Sequence, residues 1–148
     1  MALKLHRAKA AAGAALVFLA LATAANGDTA ASVVGRWRTA QGDGLVEIRP
    51  CGSWLCGYLL DHVRLRRDPG AMDIMNAKPE MRTRPMMDLL LLDHFEGGPK
   101  EWRKGAIYNP ETGKTYSGVL NLLDAARLKV TGCLVRPLCG SQVWKRER

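Results

Sequence analysis

The sequence predicts an all-β protein, a small antiparallel eight-stranded barrel preceded by a cleavable signal peptide. Three observations predict it. From residue 31 onward apolar and polar residues alternate in short runs, turn-forming residues break those runs, and no stretch carries the spacing of a long amphipathic helix. Eight short strands in about 120 residues favour closure, because a closed sheet leaves no edge to recruit another chain.

The first element is a leader. "MALKLHRAKAAAGAALVFLALATAANGD" opens with Lys4, Arg7 and Lys9, runs apolar from Ala10 to about Leu21, and then turns small and polar. That is the order of a secretory signal, and Ala22-Thr23-Ala24 offers the small-x-small site, so cleavage is expected after Ala24. The apolar run falls short of the roughly 20 residues that span a bilayer. No cysteine precedes residue 51, so no lipid-modified N-terminal Cys is available. The reading is residues 1–24 as signal peptide and 25–148 as one barrel domain, periplasmic or secreted, with no stable membrane anchor after cleavage.

Cleavage takes the formal charge from +8 to +5, since Lys4, Arg7 and Lys9 go and no acid does. The remaining charges are scattered, with "VRLRRD" and "MRTRP" the densest spots. Nucleic-acid binding asks for a basic stripe with stacking aromatics, and none is present.

The strands follow in order. "ASVVGRWRT" is the first, "QGDG" a turn, and "LVEIRPC" sets Val46 and Ile48 against Glu47 and Arg49, one buried and one wet face. "LCGYLLDHVRL" is the third. After a long connection come "MMDLLLLDHF", "EWRKGAIYN", "KTYSGVLNLL", "RLKVTG" and "SQVWKRE". In Asn109-Pro110-Glu111-Thr112-Gly113, Pro110 presets φ and Gly113 supplies the left-handed residue that closes a hairpin. The connection at about 65–86 is too long for an idle loop. It reads as a flap at the barrel mouth, with Met72, Ile74, Met75, Met81 and Met86 covering something, and a helical turn capped by Asn76 with Pro79 in its first turn.

The four cysteines, Cys51, Cys56, Cys133 and Cys139, read as disulfides in an exported chain. Structural zinc prefers closer pairs, so no metal and no other cofactor is expected. The most local of the three pairings joins Cys51 to Cys56 and Cys133 to Cys139, and residues facing each other across a hairpin stand near the ~5.5 Å between Cα atoms that a disulfide prefers.

Closing the barrel requires the first strand to meet the last, and both ends carry unusual residues. Gly35 permits a close approach, Trp37 is placed to cover the closed end, and Trp144 and Arg146 stand on the last strand. A guanidinium over the Trp37 indole is worth about 0.5–2 kcal/mol and would pin this seam.

Gly35-x-Trp37 at the start and an Arg after a Trp at the end resemble the arrangement of lipocalin-like (calycin) barrels. "GRWRT", "VEIRPCGSWLCGYLL", "DIMNAKPEMRTRPM", "GAIYNPETGKTYSGVLNL", "LKVTGCL" and "QVWKRE" together resemble the DUF2147 family, exported bacterial proteins of unknown function, over about residues 33–147. The resemblance implies a lipocalin-like barrel and supplies no activity. Two positions depart from the family pattern: Asp88 stands where Gly is usual, and Asn76-Ala77 replaces Asn-Pro.

No catalytic constellation emerges. Asp61-His62 and Asp93-His94 are adjacent pairs, and neighbours on a strand point to opposite faces, so both read as solvated strand ends. No serine sits in a nucleophile elbow. A binding cavity is the better functional reading, with Tyr58, Trp102 and Tyr116 as stacking groups and Arg82 as the cation for an acid head group. The expected partner is a small apolar or amphipathic ligand. The alternative is an envelope protein-interaction or inhibitor module with a filled barrel.

Overall fold

A computed structural model describes residues 32–148 as a closed barrel in which each strand pairs antiparallel with the next and the last returns to the first. The expected signal peptide lies outside the described residues. The strands are β1 Gly35–Arg38, β2 Gly44–Cys51, β3 Trp54–His62, β4 Leu90–Gly97, β5 Glu101–Asn109, β6 Lys114–Asp124, β7 Arg127–Val135 and β8 Leu138–Arg146. All eight expected strands are present. The charged end of the third departs from expectation, for Val63–Arg67 forms a short helix, α1. Its first turn is capped by His62, whose Nδ1 accepts the Arg64 N–H at 3.2 Å.

The alternation in β2 holds: Val46 and Ile48 are buried while Glu47 and Arg49 are partly exposed. At Gly113 φ is +68°, and its N–H donates to the Asn109 carbonyl at 2.8 Å, closing the β5–β6 hairpin as its sequence predicts. Cys51–Cys56 and Cys133–Cys139 are both disulfides, with Cα separations of 5.8 and 4.0 Å. They staple the β2–β3 and β7–β8 hairpins. Among the described residues no helix is long and apolar enough to cross a membrane.

The seam is built as the sequence suggests. β1 is four residues long and shares only the pairs Trp37↔Arg146 and Arg38↔Lys145 with β8. Side chains supply what the short ladder lacks. The Arg146 guanidinium stands 4.2 Å from the centre of the Trp37 ring. It also donates to the carbonyls of Ala125 (2.6 Å), Val34 (3.0 Å) and Ser32. Burial lowers its pKa from the usual guanidinium value, yet an arginine keeps its charge. Trp37 is fully buried and donates its indole N–H to the Val33 carbonyl at 2.8 Å. Gly35, at φ +132°, is required here: a Cβ would lie 2.7 Å from an Arg146 nitrogen. Trp144 shares β8, but it faces the barrel interior above this plug.

Below mid-height the interior is filled. The Phe95 ring lies where side chains on Gly105 or Gly118 would otherwise stand, and Leu92 does the same at Gly57. With Ile48, Leu120 and Leu128 they form the core.

Asp88, where the resemblance leads one to expect Gly, has φ +58°, the left-handed region. Asp tolerates that region better than most residues. Asp88→Gly should therefore change stability by less than about 0.5 kcal/mol in urea unfolding, whereas Asp88→Val should cost about 1–2 kcal/mol. Trp37→Ala should cost about 3–5 kcal/mol, as large core truncations do.

Candidate functional site

Above the filled half the barrel opens. A cavity of about 420 Å³ descends from one end, walled by Leu59, Leu91, Ile107, Tyr116, Val130 and Trp144. Its rim is polar: Thr39, Gln41 and Asp43 from the β1–β2 turn, His62 from the end of β3, Asn109 and Glu111 from the β5–β6 turn, and Ser141 and Gln142 from β8. Two glycines make the space. A Cβ on Gly132 would press on Tyr116 at 3.2 Å, and one on Gly140 would meet nothing within 4 Å.

Of the ligand-binding residues expected from the sequence, the structure brings only Tyr116 to this cavity. Its period-two companions Gly118 and Leu120 are buried on the same face. Tyr58 does not belong to the site. Its ring carries the Arg49 guanidinium at 3.8 Å on the outer surface, because the inward position of β3 falls to Leu59. Arg82 is exposed, and its Nε donates to the Asn76 carbonyl at 2.8 Å, which fastens the 65–86 segment to itself. Trp102 is buried in the filled half beneath Gly98. Sequence reasoning missed Trp144 as cavity wall, and it missed His62.

His62 is not a solvated strand end: its side chain is only 7 % exposed. Accepting the Arg64 N–H at Nδ1 leaves the neutral ring's proton on Nε2, which stands 3.5 Å from a Glu111 carboxylate oxygen. Asp61 points the other way, to Arg66 and Arg38, whose guanidinia hold its carboxyl below the usual range. Strand alternation separates that pair as expected. It fails at the other pair, where Asp93 and His94 side chains touch. His94 has φ +53° at an irregularity in the β3–β4 register, so the two neighbours share a face. They lie exposed, and His94 meets the edge of Trp54, the first residue of β3, whereas His62 is its last. The two histidines therefore sit at opposite ends of β3 and do not meet. Among the described residues no three His, Cys, Asp or Glu side chains come together as a metal site.

The 65–86 segment does not cover the mouth. None of its residues lines the cavity. It docks instead on the outside of β4–β6, where the Met75 carbonyl approaches Gly113 so closely that a Cβ there would lie 1.8 Å away. Asp73, fully buried, is the anchor. It accepts from the Tyr108 hydroxyl (2.5 Å), the Asn76 amide (2.8 Å) and Arg84 (2.7 Å). Met86 is buried, but Met72, Ile74 and Met75 are exposed rather than covering anything. The helical turn is a 3-10 turn at Pro79–Met81 that starts from Lys78, while Asn76 bonds the Lys78 N–H beside it.

The family model described as "Uncharacterized protein conserved in bacteria (DUF2147)" matches residues 35–146. The chain belongs to the DUF2147 family. No curated protein matches it. Among solved structures it is similar to protein HP1028 from the human pathogen Helicobacter pylori, described as belonging to the lipocalin family. The TM-score is 0.70 and the identity 20%, over 79% of this chain and 84% of that one. At that identity the likeness shows the fold: this DUF2147 member is a lipocalin-like barrel.

Burial, with Asp73 next, pushes the Tyr108 phenol up from 10.0 to about 12. A raised folded pKa means that this contribution to stability is complete below pH 10 and is lost as pH rises from about 10 to about 12. The docked segment should loosen over that window in amide hydrogen exchange, and Tyr108→Phe should remove the pH dependence.

Proposed function

We propose that this DUF2147 protein is an exported carrier, periplasmic or secreted, that holds a small apolar or amphipathic molecule in its barrel and performs no chemistry on it. The observation that carries the reading is the half-open interior. Apolar side chains wall about 420 Å³ of space, and the charged and imidazole side chains on its lining, Asp43, His62 and Glu111, come from turns and a strand end. That volume falls within the roughly 300–1,000 Å³ of small-molecule pockets. Two disulfides suit an oxidising compartment. The fold shared with HP1028 supports ligand binding by analogy of fold.

A protein-interaction role has its own observation. At the tip of the β7–β8 hairpin Leu134, Val135 and Leu138 are more than half exposed, and exposed apolar clusters mark contact sites. An envelope partner bound there would crosslink from position 138, and the carried ligand would be unaffected.

Native mass spectrometry of residues 25–148, folded in an oxidising compartment, tests the carrier reading. An added mass of a few hundred daltons, lost on denaturation, is expected. Gly140→Val fills open space in the cavity, so it should abolish the added mass while leaving the protein at least as stable. A bare chain in both would leave the interaction reading.

A further inference from the structure

We propose that the cavity selects a single-chain ligand with a neutral hydroxyl head group and rejects the corresponding carboxylic acid; this rests on the reading that the cavity holds a ligand. The carboxylate and imidazole side chains on its lining are Asp43, His62 and Glu111, the phenols are Tyr108 and Tyr116, and no lysine or arginine is among them. That is a strong bias in a chain with 22 Lys and Arg against 14 Asp and Glu.

The carboxylates have little cationic cover. Asp43 accepts from the Thr39 hydroxyl and has no cation within ion-pair distance among the described residues. Glu111 has Arg64 at 4.0 Å, and that guanidinium also donates to the Met72 carbonyl at 2.9 Å. A carboxylate head group would enter between two like charges, and the one guanidinium nearby, Arg64, already stands against Glu111 and the Met72 carbonyl and is not on the cavity lining. Like charges brought together in a partly desolvated site are costly.

His62 decides between the remaining head groups. Its side chain is more than nine-tenths buried and locked by the Arg64 N–H, so its Nε2–H is a fixed donor at the rim. The Glu111 oxygen at 3.5 Å is beyond the roughly 2.7–3.2 Å of a made N–H···O bond. That donor makes no hydrogen bond among the described residues and is open to the cavity, free to meet a ligand. An ammonium head would satisfy Asp43 but oppose one donor with another. A hydroxyl fills both roles at once, accepting from His62 Nε2–H and donating to Glu111 or Asp43. At about 30 Å³ per methylene-sized group, as for a water in liquid, the cavity holds a chain on the order of ten carbons.

Calorimetric titration of residues 25–148 at pH 7.5 with decan-1-ol, decanoate, decylamine and the head-less decane provides the test. The alcohol should bind about tenfold or more tightly than decanoate, and more tightly than the amine. His62→Phe should bring alcohol and decane to within about threefold of each other. Should that variant fail to fold, having lost the cap of α1, Glu111→Gln is decisive: it should raise decanoate affinity while leaving decane unchanged. Decanoate or the amine binding best, or Glu111→Gln leaving decanoate unmoved, overturns the head-group assignment and keeps the carrier. No binding by any of the four overturns the carrier reading itself.

Discussion

The Arg146 guanidinium lying on Trp37 is the contact on which the rest of the barrel depends. β1 offers only two register pairs to β8, too short a ladder to hold a sheet shut by backbone bonds alone. Arg146, beside an Arg38–Glu147 pair across the same seam, adds to it by reaching carbonyls of the N-terminal segment and of the β6–β7 turn while covering an indole face. Were it absent, β1 and β8 would present unpaired edges. Because closure and most of the large buried side chains are concentrated at one end, the other end is free to remain hollow. Packing and open space are thus divided along the barrel axis.

Glycine marks that division. At Gly57, Gly105 and Gly118 the missing Cβ admits Leu92 or Phe95, and the interior becomes solid. At Gly140 nothing replaces it, and the interior becomes a cavity. The same residue type, inward-facing on neighbouring strands, gives packing or space according to whether a large neighbour reaches it. In a small barrel the choice between filler and pocket is made by such pairs and not by the number of aromatics.

That distinction explains what could be read beforehand. The strand count, the Asn109–Gly113 turn, the two hairpin disulfides and the Gly35–Trp37–Arg146 seam depend on local spacing or on the chain's two ends having to meet, and each was legible. The cavity residues were legible only where strict alternation holds, as at Tyr116. Register irregularities break it elsewhere, between Leu45 and Val46 in β2 and around His94 in β4. Tyr58 and Arg82 were misplaced because their partners, Arg49 and the Asn76 carbonyl, are no different in sequence from any other polar neighbours. The docking of residues 65–86 on the outer wall turns on Asp73 meeting Tyr108, thirty-five residues apart. No local pattern announces such a pair. His62 looked like a strand end because the helix that it caps begins within an apparently continuous strand.

The proposed carrier would hold its ligand in the open half, against Trp144 and away from the plugged half that holds Trp37 and Trp102. A brominated decanol, whose heavy atom quenches only an indole in contact, tests it directly by fluorescence titration. Saturable quenching of part of the tryptophan emission is expected, and its loss in Trp144→Phe with affinity retained. Quenching that persists undiminished in Trp144→Phe would place the ligand elsewhere and contradict the account.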